Sequence, residues 1–264
     1  TDLPGLSTQL QAERSPLLRI AVASAILKLT GNLPLLRNKL DLRWARAGMN
    51  DPNWMARHSA VPLLDRNAES ESTALLSRAL SDEKIQVRTR VIQVISRSSS
   101  RDALKLLEVA LKNDQPEVRE ASLRAVVQVA RSAYLQGGST ASDVKKWLQG
   151  LLKSTNETQR AGAQAGLSHL GDTAQWAELK KLKGSPDRVL RGLLAHATVS
   201  DRDLLASLLG DSAISVRLAA AQRLAQLKDA RGVAVLREGL GQGGAPGLRS
   251  EAALRNLGES LAGQ

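Results

Sequence analysis

The chain has 264 residues, 42% of them hydrophobic, a size that suits one large domain, two small ones or a repeat array. It contains no cysteine, which excludes disulfides, thiolate zinc sites and cysteine nucleophiles. Lys and Arg number 37 against 26 Asp and Glu, a formal charge of +11 that favours an acidic partner and says nothing about fold.

No apolar run approaches the roughly 20 residues needed to span a bilayer. The N-terminal TDLPGLSTQLQAERSP has neither an initiator Met nor a signal-peptide pattern, as expected of a segment of something longer or of a processed form. With four Trp, one Tyr and no Phe, the core must be built from Leu, Ala, Val and Ile, residues that suit closely packed helices.

From the N-terminus onward one pattern recurs. It appears as SPLLRIAVASAIL (15–27), DPNWMARHSAVPLL (51–64), DEKIQVRTRVIQVI (82–95), DQPEVREASLRAVV (114–127) and TNETQRAGAQAGL (155–167). It continues as SPDRVLRGLLAHA (185–197), DSAISVRLAAAQRL (211–224) and APGLRSEAALRNL (245–257). The aligned residues are Arg19, Arg57, Arg88, Arg119, Arg160, Arg191, Arg217 and Arg249, spaced by 38, 31, 31, 41, 31, 26 and 32 residues. Helical solenoids use such a period and single globular folds do not.

Each unit reads as two helices. In the fourth, RDALKLLEVALK (101–112) is apolar at Leu104, Leu107 and Leu111. An acidic turn then leads into a second helix that is apolar at Val118, Ala121, Ala125, Val126 and Val129, the stripe of an amphipathic helix. Pro16, Pro52, Pro116, Pro186 and Pro246 fall just ahead of an aligned Arg, where a first helical turn tolerates Pro. Ser15, Asp51 and Ser185 precede three of these prolines and read as N-caps. Pro62 should kink its second helix, and YLQGGSTASD (134–143) reads as a longer flexible loop.

The acidic turn, the Val one or two residues before the Arg and the paired-helix period resemble HEAT repeats, particularly the bacterial HEAT-like type first described in phycobilin lyases. The resemblance covers nearly the whole chain in eight units. It implies an all-α fold, a right-handed α–α superhelix forming a single domain over residues 1–264. In such repeats the turn Asp and the second-helix Arg form a ladder between neighbouring units. The resemblance thereby assigns that role to the eight arginines and to Asp51, Asp82, Asp114, Asp187 and Asp211. Asn156 replaces the acid in the fifth unit, and the first and last units lack it.

Setting aside eight ladder arginines and five aspartates lowers the formal charge from +11 to +8, so a basic surplus remains. Arg90, Arg124, Arg223 and Arg255 lie inside second helices, which in HEAT-like solenoids tend to line the concave face. They are the candidate binding residues, for an acidic peptide or a nucleic-acid backbone. Trp44, Trp54, Trp147 and Trp176 are spread over separate units among apolar neighbours and read as helix packing. His58, His169 and His196 have no second ligand at i+4, nothing resembles G-x-S-x-G, and GLGQGGAPG (239–247) follows no strand. The sequence therefore calls for no metal, no cofactor and no catalytic residue. It points to a non-enzymatic scaffold for a protein partner, acidic in character, bound through the concave face. Nucleic-acid binding, extending to the base-repair chemistry of HEAT-like DNA glycosylases, is the alternative, and a lyase-like enzyme is a third reading. Repeat similarity fixes fold and leaves function open.

Overall fold

The computed structural model describes residues 45–64, 70–198 and 201–259, and every regular element among them is helical. They fall in two compact units, Thr1–Ala125 and Val126–Gln264.

In the first unit, helical residues 45–49 precede α1 (Trp54–Ala60), whose N-cap Asn53 accepts the Met55 N–H. A 3-10 turn, Val61–Leu64, follows directly. Pro62 sits in it: a proline lacks the N–H and crowds the carbonyl four residues back, so the α-helix cannot continue. Next come α2 (Ser70–Ala79), α3 (Ile85–Ile95) and α4 (Arg101–Ala110). Ser100 caps α4 by accepting the Ala103 N–H. The helix stops two residues short of the stretch expected to form it. α3 packs against α1, α2 and α4, burying Val87, Val91, Ile92, Val94 and Ile95 against the α4 stripe of Leu104 and Leu107. Each such side chain, fully buried, contributes about 1.5–3 kcal/mol.

α5 (Pro116–Gln136) starts on Pro116, whose missing N–H costs nothing at a first helical position. Val118, Ala125, Val126 and Val129 are buried as expected, while Ala121 is half-buried. The flexible loop expected over 134–143 does not form. α5 runs through Gln136, and α6 (Gly138–Leu151) begins after one residue, Gly137, at φ 65 and ψ −160. That left-handed conformation is cheap only for glycine, and it redirects the chain without a loop.

In the second unit α6 is followed by α7 (Glu157–His169), α8 (Thr173–Lys180), a 3-10 turn Lys181–Gly184, α9 (Arg188–Ala197) and α10 (Arg202–Leu208). Then come α11 (Ile214–Gln226), the 3-10 turn Ala230–Gly232, α12 (Val233–Leu240) and α13 (Gly244–Leu257). The helices alternate in role. α7, α9, α11 and α13 are second helices of successive pairs, and each packs on the next. α6, α8, α10 and α12 are the first helices and pack across them. Leu148, Leu167, Leu190, Leu193, Leu194 and Leu224 are fully buried in these layers, and the last pair closes over Ala221, Ala225, Leu236 and Leu254. The all-α fold of helical pairs expected from the sequence is the fold observed.

Of the three caps expected from the sequence, Ser15 lies outside the described residues. The other two fall two residues later than expected, on Asn53 and Asp187. Asp51 and Ser185 instead spend their side-chain oxygens inside the turn, on the N–H of Asn53 (2.8 Å) and of Asp187 (3.2 Å).

Candidate binding site on the second helices

The aligned arginines first bind their own turns. Nη1 of Arg57 donates to the carbonyls of Asp51 and Pro52, six and five residues earlier, at 3.0 and 2.9 Å. Arg119 does the same to Asn113 and Asp114 (3.1 and 3.0 Å), and Arg160 to Ser154 and Thr155 (2.8 and 2.7 Å). Arg191 holds Ser185 and Pro186 (2.8 and 3.1 Å), and Arg217 holds Asp211 and Ser212 (3.1 and 3.4 Å). These turn carbonyls precede a helix and have no intrahelical donor, so the guanidinium fills a hydrogen-bonding deficit. Arg249 departs from the pattern, with Nε on the Ala245 carbonyl at 3.2 Å. Arg19 lies outside the described residues.

The other edge of the fork reaches the next repeat. Arg57 Nε and Nη2 grip the Asp82 carboxylate at 2.7 and 3.0 Å, and Arg191 grips Asp211 at 2.7 and 2.9 Å. Both pairs are nearly buried, a bidentate geometry that suits Arg and not Lys. Arg217 meets Glu238 at 2.6 Å instead. Asp82 and Asp211 also accept the N–H two residues on, from Lys84 (2.9 Å) and Ala213 (2.8 Å). The acid position of the turn is therefore six residues before the Arg.

That register displaces two of the aspartates assigned to the ladder from the sequence. Six before Arg119 is Asn113, which accepts the Gln115 N–H at 3.0 Å, so Asp114 is one residue late and contributes its carbonyl. Six before Arg191 is Ser185, so Asp187 is two residues late and caps α9 through the Val189 N–H at 2.8 Å. Asn156 likewise caps α7, while Ser154 occupies the turn position. Arg88 Nε is buried with no hydrogen-bond partner, and the residue six before the following Arg is the neutral Asn113.

The four candidate binding arginines divide in two. Arg124 and Arg255 are each met one turn earlier on their own helix by a glutamate, Glu120 at 2.9 Å and Glu251 at 2.5 Å. Arg90 and Arg223 are met instead by a glutamine three residues later, Gln93 at 3.0 Å and Gln226 at 2.7 Å. Arg223 Nε also donates to the Thr198 carbonyl at the end of α9, at 3.0 Å. The Arg-x-x-Gln spacing is present in the sequence at both places and was the available signal for this distinction.

Two histidines join these arginines. His58 is held below the ordinary imidazole value by burial and by Arg90. His169 is held below it by burial and by Arg223 and Arg131, against the opposing pull of the Ala197 and His196 carbonyls, and its Nε2 makes no hydrogen bond. Burial and Arg131 also weaken the hold of Arg223 on its proton. The recruitment of His169 and Arg131 was not legible in the sequence, because it depends on which second helices face one another. Among the tryptophans, Trp54 packs edge-on to His58 with ring centroids 6.3 Å apart, and Trp176 lies under Lys180; Trp44 falls outside the described residues.

Residues 42–127 match the HEAT-repeat family. The chain carries HEAT repeats over this span, and the turn-clamping arginine found there at Arg57 and Arg119 recurs beyond it at Arg160, Arg191 and Arg217. No curated protein matches the chain. Among solved structures, YibA of E. coli aligns at 17% identity over 84% of this chain and 93% of its own, with a TM-score of 0.38. Human deoxyhypusine hydroxylase aligns at 16% over 83% and 97%, with a TM-score of 0.39. The CpcE–CpcF complex of phycocyanin lyase from Nostoc sp. PCC7120 aligns at 17% over 82% and 94%, with a TM-score of 0.33. These likenesses are too distant to bear on function. No helix among the described residues is long and apolar enough to cross a membrane.

Proposed function

We propose that the chain is a non-enzymatic HEAT-repeat scaffold that binds an acidic segment of another protein through its second helices, with Arg90 and Arg223 as the leading contacts. The observation that carries this reading is the pairing of basic groups in each unit: His58 with Arg90, and His169 with Arg223 and Arg131. Burial and these guanidiniums disfavour the protonated imidazoles, so the positive charge of each group resides on its arginines. The amides of Gln93 and Gln226 orient the two guanidiniums without adding negative charge. Arg124 and Arg255, tempered by their glutamates, are secondary contacts.

The test is fluorescence anisotropy of a labelled Glu-rich peptide and, separately, of duplex DNA, against the full chain and an Arg90→Glu/Arg223→Glu variant. The peptide should bind, and the variant, still helical by circular dichroism, should bind it about tenfold more weakly or worse. A peptide that is ignored overturns the reading. DNA binding that falls steeply with salt, in its place, would transfer the same arginines to phosphate contacts.

A further inference from the structure

α5 outlasts its counterparts. α7 and α11 end nine residues after their aligned arginines, at His169 and Gln226, whereas α5 runs seventeen residues past Arg119 to Gln136. The added length is about two helical turns. Its inner side is buried at Val129, Ala130 and Ala133, so the extension is a packed part of the fold. Its outer side presents Arg131, Tyr134 and Leu135 to solvent, and the two apolar residues are 62% and 75% exposed. Tyr134 is the one tyrosine of the chain. A solvated helix end would be served as well by polar residues, and tyrosine is a poorer helix former than most of them. Single exposed apolar residues are ordinary, but two in succession beside a guanidinium form a surface that the fold itself does not call for.

Arg131 joins this end of α5 to the basic group of the second unit. Residues three and four apart on a helix have Cβ atoms about 5–6 Å from one another, so Tyr134 and Leu135 both adjoin Arg131. Arg131 in turn acts on Arg223 and His169, and Arg223 is held in place by the Thr198 carbonyl at 3.0 Å and by Gln226 at 2.7 Å. Cationic and apolar surface therefore lie side by side. A ligand whose carboxylate meets Arg131 brings its neighbouring side chains over Tyr134 and Leu135. Tyrosine and arginine are the residues that most often anchor protein interfaces, and a phenol ring offers a large contact at little cost in side-chain freedom. We propose that the acidic segment bound at Arg131 and Arg223 also carries a large apolar side chain close to its acid, and that this side chain seats on Tyr134 and Leu135. The proposal rests on the acidic-partner reading and narrows it to a protein segment acidic and apolar at once. The spacing fits a residue two places from the acid in an extended segment, at about 3.3 Å per residue, or four places away in a helical one. Two side chains offer too little apolar surface to hold a helix in a bilayer interface, which favours a protein over a membrane.

The test compares two labelled Glu-rich peptides of equal length and charge, one with serine and one with leucine two and four places after a central glutamate, by fluorescence anisotropy against the full chain. The leucine peptide should bind about tenfold more tightly. Tyr134→Ser/Leu135→Ser, changed only at exposed positions, should stay helical by circular dichroism, hold the serine peptide within about twofold and lose the leucine advantage. If the double variant loses helicity, Leu135→Ser alone should cut that advantage to about threefold. Arg131→Glu should weaken both peptides alike. Equal affinities of the two peptides for the full chain overturn the proposal and leave the acidic-partner reading standing, whereas failure of both to bind removes that reading and the proposal with it. A leucine advantage that persists in the folded serine variant overturns the proposal by placing the apolar contact elsewhere. Binding to phosphatidylserine–phosphatidylcholine vesicles that is lost in the serine variant, with neither peptide bound, would overturn it in favour of a membrane contact.

Discussion

Arg88 marks one place where the ladder is interrupted. Its Nε is buried without a partner, whereas the same atom of Arg57 and of Arg191 lies 2.7 Å from a carboxylate. The difference traces to one atom pair in the following turn, where Asn113 holds the position that Asp82 and Asp211 hold elsewhere. Asn113→Asp keeps the oxygen that accepts the Gln115 N–H and supplies the missing charge. It should raise stability by roughly 1 kcal/mol, or about 2–4 °C in melting temperature. No gain would mean that Arg88 is not aimed at the next turn. The ladder was only half legible in the sequence for a related reason. The arginines are one residue type at one register and stand out. Their turn partner is Asp, Asn or Ser, joined by an acceptor oxygen and not by charge, so a search for acids settled on Asp114 and Asp187.

Helix pairing was legible because it rests on local pattern: the α4 and α5 stripes predicted from apolar spacing are buried except for the half-buried Ala121. The ends of elements were less so. The Gly-Gly-Ser-Thr stretch has the composition of a flexible loop, yet two consecutive positive-φ glycines, Gly137 and Gly138, let α5 and α6 nearly abut. Composition reports what a segment tolerates, and packing decides what it does. Gly232 illustrates the packing side. It places the 3-10 turn before α12 directly on α11, where an added Cβ would stand 2.8 Å from both Cα and Cβ of Ala221. A backbone atom cannot rotate away as a side-chain end can. Gly232→Ala should therefore push the last helical pair off α11 and cost about 1–3 kcal/mol, read as a lower urea midpoint. A midpoint equal to that of the parent would show that the turn has room to lift.

Charge ties these local features to the behaviour of the chain as a protonating molecule. His58 and His169 are held below the ordinary imidazole value of 6.5, first by burial and then by arginines. The unfolded chain lacks those constraints and so binds more protons below about pH 6.5; stability conferred by the neutral imidazoles is complete above that value and is lost as pH falls. Asp211 lies below the ordinary 3.8 because Arg191 holds its carboxylate, and Asp82 lies below it because Arg57 and the Lys84 N–H outweigh the upward push of burial. Their contribution is complete above 3.8 and disappears as pH drops through their folded values, which is the same direction at a lower pH. Acidification should therefore lower the melting temperature in two stages, the first of a few degrees between about pH 7 and 5, the second below about pH 4. His58→Gln/His169→Gln removes the first titration and should level that stage while leaving the second. The same charges link pH to binding. An anion beside Arg223 would favour the protonated form of His169, so an acidic peptide should bind more tightly at pH 6 than at pH 8, with net proton uptake measurable by calorimetry in two buffers. Affinity that is flat over that range would place the bound anion away from His169.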